Sequence, residues 1–122
     1  HTIGSVDAPA APNKFINKYI FPGGVIPSFS DIINPIQKTG LIVADSETLI
    51  RHYDKTLESW LSRFIEQKSI IRDLFDEKFV KMWEFYLASC AAAFRYRDLV
   101  VFQLQIVKNF QAAHRTRDYI YS

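Results

Sequence analysis

The chain has a single cysteine, Cys90, among its 122 residues. An internal disulfide is therefore excluded, and the cysteine usage does not point to an oxidising compartment. The chain has no large excess of positive or negative charge. It contains 15 Lys and Arg residues and 13 Asp and Glu residues, and its formal net charge is +2. The basic residues are also scattered, so we expect no nucleic-acid partner.

Long apolar runs and glycine-rich motifs are missing as well. No run approaches the roughly 18 apolar residues that a membrane-spanning helix needs, and no signal peptide opens the sequence. The four glycines form no G-x-G-x-x-G motif and no P-loop, and there is no C-x-x-C. The residues alone therefore predict neither a cofactor site nor a metal site, and a cytoplasmic protein is expected.

Aromatic side chains are what the sequence has in quantity. Ten Phe, six Tyr and two Trp make 15% of the chain, within a hydrophobic fraction of 48%. This composition excludes a disordered or fibrous protein. The length predicts one domain with a modest core.

Two short helices are predicted in the first third of the chain. The first begins near Asn13 and is broken by the Pro-Gly-Gly of residues 22–24. The second begins at Ser28, whose S-x-x-D spacing to Asp31 is typical of a capping box. Pro35 lacks an N–H group and is expected to kink or end this helix early.

Two long helices and two strands are predicted in the remainder. The helices cover residues 53–65 and a segment that begins after Asp76, since both carry apolar residues at helical spacing. In the second helix this apolar stripe consists of Phe79, Met82, Trp83, Tyr86, Leu87, Cys90 and Phe94. Residues 41–43 are predicted to form a short buried strand. Residues 99–107 are predicted to form another, with apolar residues at 102, 104 and 106 alternating with glutamines.

Four segments resemble, in order, the motifs of one family. They are residues 15–24 (FINKYIFPGG, followed by Ile-Pro-Ser at 26–28), 52–57 (HYDKTL), 79–94 (FVKMWEFYLASCAAAF) and 102–105 (FQLQ). Together they resemble cyclopropane-fatty-acyl-phospholipid synthases, and the last segment resembles the final strand of the bacterial branch. The resemblance extends from residue 1 to about residue 108.

The resemblance implies an α/β fold. Residues 1–122 would form the C-terminal portion of a Rossmann-like methyltransferase, with helices covering an antiparallel strand pair and the cofactor-binding half upstream. The implied reaction is S-adenosylmethionine-dependent methylene transfer to a cis double bond of a phospholipid acyl chain. It forms a cyclopropane ring, with a bicarbonate ion as proton acceptor. We expect the 122-residue chain alone to be inactive.

The resemblance also implies site residues. In the family's bicarbonate pocket, His1 would act through its ring, Ile3 through its backbone N–H group and Tyr53 through its hydroxyl group. Cys90 matches a cysteine proposed as the family's active-site residue, so the candidate catalytic residues are Tyr53, His1 and Cys90. A lipid pocket is expected to include Trp83, Tyr86 and Phe94.

Each of these residues has a simpler interpretation. Cys90 lies on an apolar stripe with no neighbour to lower its pKa, so it is better explained as a small hydrophobe lining the acyl site. Tyr53 would count as a core aromatic on periodicity alone, and His1 as a tag remnant. The aromatic stripe would ordinarily be plain core.

The expected partners follow from the implied substrate. We expect a membrane phospholipid as substrate and peripheral contact with the inner membrane, with scattered lysines such as Lys14 and Lys18 near anionic headgroups. Unpaired edges of the strands at Leu41 and Leu99 predict a homo-oligomer, including a swapped one. The alternative is a stand-alone lipid-binding or protein-interaction domain.

Overall fold

A three-stranded antiparallel sheet with helices on both faces forms the protein. The computed structural model describes residues 1–7, 9 and 11–121. In chain order the elements are β1 (Thr2–Ser5), α1 (Lys14–Tyr19), α2 (Phe29–Lys38), β2 (Ile42–Leu49), α3 (His52–Glu66), α4 (Lys68–Leu74), α5 (Glu77–Tyr96) and β3 (Leu99–Val107). Single 3-10 turns at Phe110–Ala112 and Asp118–Ile120 follow. The predicted α/β class is confirmed.

The central strand is β3, and the strand order is β1-β3-β2. The expectation of a free edge at Leu99 is wrong, because β3 pairs on both sides, with Thr2 opposite Phe102 and Glu47 opposite Gln103. The predicted alternation fails at its end, where Ile106 is 43% exposed and Gln105 is half-buried. Ahead of it, three consecutive residues, Val100 to Phe102, are buried. A central strand covered on both faces has no solvent side along which polar residues can alternate.

Different helices cover the two faces of β3. Val101 packs in the core cluster with Leu57 of α3 and Leu87 of α5. Phe102 points to the opposite face, where its ring centroid lies 5.0 Å from that of Phe29 at the start of α2. The buried core therefore lies between β3 and the α3–α5 pair.

Strand β2 is longer and more exposed than predicted. It extends from Ile42 to Leu49, with a register irregularity between Val43 and Asp45, whereas a short buried strand at residues 41–43 was expected. An edge strand needs only one partner, so the polar residues from 45 to 48 continue the ladder with β3 while facing solvent.

The predicted helix starts are confirmed at α1 and α2. The Asn13 side chain accepts a hydrogen bond from the Ile16 N–H group at 2.9 Å. At α2, Ser28 and Asp31 form a capping box, in which the Ser28 N–H group donates to Asp31 Oδ2 at 2.8 Å. Hydrogen bonds from Ser28 hold the pKa of Asp31 below its usual value.

Pro35 does not end α2, which continues to Lys38. The expected early end is wrong because Pro35 is exposed. The one backbone hydrogen bond that it cannot make is lost where water can replace it.

The predicted long helices are present as α3 and α5, but α4 was not predicted. Its seven residues carry no clear apolar stripe, and Leu74 is 72% exposed. Ion pairs tie it to α5, with Lys68 Nζ 2.7 Å from Glu84 Oε1 and Arg72 Nε 2.5 Å from Glu77 Oε2. No helix in the described part of the chain is long and apolar enough to cross a membrane.

The apolar stripe of α5 is buried to different degrees. Its fully buried residues are Val80, Leu87, Ala91 and Phe94, of which the first and third were not in the predicted stripe. Trp83, Tyr86 and Cys90 are only partly buried, although they pack against the core cluster. Tyr86 and Cys90 line the site described next.

Close backbone packing brings the loop before α2 onto the sheet. The Ser5 N–H group donates to the Pro27 carbonyl at 2.9 Å. At Gly4 an added Cβ would lie 2.3 Å from Phe102 Cε2 and 3.0 Å from the Pro27 oxygen. Only glycine permits this approach, which holds residues 21–27 beside β1.

Candidate active site

An apolar groove of about 420 Å³ lies between β1, α1 and α5. Ile3 of β1, Ile16 of α1 and Leu99 of β3 line three of its sides, and Val25 and Ile26 line the loop side. Its remaining side is formed by residues of α5. Its volume and apolar lining suit an aliphatic chain.

Two of the three aromatic residues predicted for the lipid pocket line this groove. Tyr86 and Phe94 form part of the wall on α5. Trp83 lies outside the lining residues, and its ring centroid is 5.1 Å from that of Tyr86. Trp83 therefore supports the wall from behind.

Cys90 also lines the groove, one helical turn from Tyr86 and Phe94. Burial raises the pKa of its thiol, and burial together with the nearby Cys90 raises the pKa of Tyr86 to about 12. Both groups are therefore protonated near neutral pH. A thiol in this state is a poor nucleophile, so the geometry favours Cys90 as part of an apolar wall.

A second hollow lies at the N-terminal end of α3. It has a volume of about 420 Å³, and its lining residues are His1, Leu49, His52, Tyr53, Thr56 and Val101. Arg51, the residue that precedes α3, makes no capping hydrogen bond through its side chain. The first N–H groups of a helix have no partner within it, and the helix dipole is positive there. We call this cavity the anion hollow, after the ligand that we propose for it below.

The structure brings His1 and Tyr53 together in the anion hollow. Ile3, the third predicted bicarbonate ligand, lines the neighbouring groove. A single ring contact separates the two cavities, because Phe94 lines the groove and its ring centroid lies 5.1 Å from that of Tyr53, which lines the hollow.

Tyr53 is held in place by its neighbours. Its ring contacts Phe94 and also Trp60, at 5.8 Å between centroids. The next residue, Asp54, accepts two hydrogen bonds from Arg95, Nε to Oδ2 at 2.8 Å and Nη2 to Oδ1 at 2.9 Å. Arg95 also contacts Glu58, and these hydrogen bonds raise its pKa further above its high ordinary value.

Two features of the site were not found by sequence reasoning. Asp54 lies inside one motif segment, and Arg95 directly follows another. Because they are 41 positions apart in the chain, no local pattern pairs them. Gln103 approaches the ring of His1, with its Oε1 2.8 Å from Nε2. That contact depends on the register between β1 and β3, which no sequence signal supplied.

Comparisons with known proteins identify the family. The family model described as mycolic acid cyclopropane synthetase matches residues 1–104. A tuberculostearic acid methyltransferase of Mycobacterium tuberculosis is 44% identical over 96 residues, which are 77% of this chain and 22% of that protein. The cyclopropane-fatty-acyl-phospholipid synthase of Escherichia coli K12 is 38% identical over 104 residues, 85% of this chain and 27% of that protein. The chain thus spans about a quarter of the length of these relatives.

Solved structures show the same fold. The cyclopropane synthase MmaA2 from Mycobacterium tuberculosis superposes with a TM-score of 0.78 at 28% identity, over 86% of this chain and 41% of that one. Mycolic acid cyclopropane synthase CmaA1, complexed with SAH and CTAB, gives a TM-score of 0.73 at 32% identity, over 76% and 33%. The expected Rossmann-like methyltransferase fold is confirmed for the part that this chain covers, and the chain belongs to the mycolic acid cyclopropane synthetase family.

Proposed function

We propose that the protein containing this chain is an S-adenosylmethionine-dependent methyltransferase that forms cyclopropane rings on unsaturated lipid acyl chains. The observation that carries the proposal is the adjacency of the apolar groove and the anion hollow, which are separated by the ring contact between Phe94 and Tyr53. An acyl chain and a small anionic base would then lie side by side. The names of the relatives support the same chemistry.

The chemistry explains why these two cavities need to adjoin. The alkene attacks the methyl group of S-adenosylmethionine, so that a carbon–carbon bond forms to one alkene carbon while the methyl C–S bond breaks and S-adenosylhomocysteine leaves. The other alkene carbon becomes positively charged. Loss of a proton from the new methyl group closes the ring. A base must therefore reach a carbon inside a dry groove, and an anion also stabilises the developing cation.

The residues of the anion hollow fit bicarbonate. The Tyr53 hydroxyl group and the His1 ring can donate hydrogen bonds to an anion, and so can the first N–H groups of α3. In our proposal the Ile3 N–H group is a further donor from β1. When bound, bicarbonate supplies the base that accepts the methyl proton.

The groove has two roles in the proposal. Its apolar walls hold the double bond and exclude water, which would otherwise trap the cation as an alcohol. The aromatic rings of Tyr86 and Phe94 line the same space and can stabilise a positive charge over their faces.

S-Adenosylmethionine supplies the methyl group. The residues of this chain do not form a recognisable site for it, since the sequence has no glycine-rich nucleotide-binding motif. We infer that residues outside this sequence hold most of the cofactor, and that the 122-residue chain alone is inactive. The binding of SAH by a structural relative supports the cofactor assignment.

We propose a phospholipid in a membrane as the source of the acyl chain, reached by peripheral contact with the inner membrane from the cytoplasm. Phe21 and Val25 beside the groove are 56% and 69% exposed. Lys14 and Lys18 on the adjacent α1 are exposed, and no acidic residue occurs between Asp7 and Asp31. Basic and apolar residues together favour binding to an anionic lipid surface.

We also propose a homo-oligomer. Within the residues described here, the outer edge of β2 has no strand partner, and that of β1 is bridged at Ser5, to Ser28. Such edges pair readily with another chain, including by exchange of a strand. Light scattering on the full-length protein would test this, and a monomer at high concentration would contradict it.

The main experiment uses the full-length protein expressed from its complete reading frame. It is incubated with S-adenosylmethionine and vesicles of cis-unsaturated phospholipid, and cyclopropane protons are measured by NMR. Ile16→Trp, which fills the groove, should abolish product, whereas Gln37→Trp on the exposed side of α2 should not. Absence of product with the wild-type protein would overturn the proposal.

A second candidate function is a stand-alone lipid-binding or interaction domain. It is favoured by the apolar lining of the groove, which suits an aliphatic chain. Saturable binding of a fluorescent fatty acid to the full-length protein, without methyl transfer, would support it. Product formation in the main experiment would exclude it as the only function.

A further inference from the structure

In the ion pair between Asp54 and Arg95, the aspartate is buried and the arginine is partly exposed. The Asp54 side chain is 7% exposed and that of Arg95 is 29% exposed. The contact is two-pronged, with Nε to Oδ2 at 2.8 Å and Nη2 to Oδ1 at 2.9 Å. Glu58 touches the same guanidinium group from an exposed position. A pair with this geometry fixes the orientation of both side chains.

Asp54 and Arg95 line neither cavity, but each follows directly in the chain a residue of the ring contact between the cavities. Asp54 follows Tyr53 in α3, and Arg95 follows Phe94 in α5. The rings of Tyr53 and Phe94 are in contact at 5.1 Å. The ion pair and the ring contact therefore hold α3 against α5 at two consecutive residues, beside the tyrosine that lines the anion hollow.

The charge of Asp54 also matters for the anion hollow. Asp54 stands in the first turn of α3, between Tyr53 and Thr56, which line the hollow. One turn of helix is about 5.4 Å long, which is shorter than the screening length of about 8 Å at physiological salt. An uncompensated carboxylate there would repel an anion, and it would also offset the positive end of the helix dipole.

We propose that Arg95 is a positioning residue that makes the anion hollow able to bind its ligand. It neutralises Asp54, so that the positive end of α3 acts on the anion, and it holds Tyr53 in contact with Phe94. The identity of the anion as bicarbonate rests on the proposed function. The pairing and its electrostatic effect do not depend on it.

The test compares the two halves of the pair in the full-length protein. Arg95→Gln leaves Asp54 uncompensated and should weaken the binding of 13C-bicarbonate, measured by NMR titration. The expected loss is about threefold to thirtyfold, the range that Coulomb's law gives for a unit charge about 8 Å away. Asp54→Asn removes the repelling charge and should leave binding unchanged or tighter. The double variant should bind nearly as well as the wild type.

The two single variants should change bicarbonate binding in opposite directions, and this distinguishes the proposed role from a purely structural one. If the pair only stabilised the fold, both single variants would weaken binding alike, and that result would overturn the proposal. Arg72→Gln is the matched control, because it removes an ion pair between α4 and α5 that does not border the hollow. Binding by Arg72→Gln should equal that of the wild type.

Two further readouts keep the test decisive. Thermal unfolding shows whether Arg95→Gln folds. If it does not, Arg95→Lys retains the charge and should retain bicarbonate binding. Weaker binding by Asp54→Asn would still overturn the proposal. Methyl transfer is measured separately as a function of bicarbonate concentration. If Arg95→Gln and Asp54→Asn change bicarbonate binding in opposite directions but the wild-type protein transfers no methyl group, the role of Arg95 is supported and the proposed function is contradicted.

Discussion

The ring of His1 and the side chain of Gln103 face each other across two strands, with Nε2 of the histidine 2.8 Å from Oε1 of the glutamine. Gln103 lies in β3 with Glu47 opposite it on β2. A carbonyl oxygen can only accept, so in this amide orientation Nε2 of His1 carries the proton. The contact leaves Nδ1 to face a ligand, and Nδ1 donates to an anion only when the ring carries both protons.

Replacing Gln103 should raise the bicarbonate concentration that methyl transfer requires. Gln103→Leu removes the acceptor that orients the His1 ring, so the bicarbonate concentration for half-maximal methyl transfer should rise about tenfold. The matched control is Gln105→Leu, since Gln105 accepts from the Tyr119 hydroxyl group at 3.1 Å and does not contact His1. Equal effects of the two substitutions would contradict a specific role for Gln103.

Tyr53→Phe should separate packing from chemistry. The variant keeps the ring contacts with Phe94 and Trp60, so its unfolding temperature should not change. Loss of a hydrogen bond to an anion should lower methyl transfer by about tenfold to a hundredfold. Tyr121→Phe, at a position that is 89% exposed, serves as the control. Wild-type turnover by Tyr53→Phe would remove this hydroxyl group from the mechanism.

The thiol of Cys90 should react slowly with iodoacetamide at neutral pH. Its pKa is raised by burial above the ordinary value of 9.0, so the thiolate fraction is small and should grow only in alkaline solution. The same shift means that the native state prefers the thiol form. Its contribution to stability is therefore present below pH 9.0 and is lost as the pH rises through the native pKa.

The control for this measurement is the chain unfolded in urea, which should be alkylated faster at every pH. Cys90→Ala should retain methyl transfer, because the residue acts as part of the groove wall. Rapid alkylation of the native protein near pH 7, together with loss of activity, would instead identify a reactive thiol.

Calorimetric titration of S-adenosylmethionine into the 122-residue chain should show no binding. The chain has no glycine-rich nucleotide motif, and its groove is lined by apolar residues that cannot recognise a nucleoside. The full-length protein provides the positive control. Clear micromolar binding by the chain would mean that residues 1–122 contain a complete nucleoside site.

Local signals predicted much of the secondary structure. The capping residues Asn13, Ser28 and Asp76 were placed correctly, because a cap is made by residues three or four positions apart. The bounds of β3 were also predicted correctly. By contrast, α4 depends on ion pairs with α5 across up to 16 residues, and no pattern within residues 68–74 indicates them.

The sequence by itself determined the family, the class of fold and the candidate residues, because motifs and caps are local in the chain. Only the tertiary structure decided which of those residues meet. It placed His1 beside Tyr53 across β1 and α3, paired Asp54 with Arg95 over 41 residues, and put Cys90 in a wall where burial keeps its thiol protonated. Strand register and helix packing set these distances, and both are determined by burial of the whole core around β3.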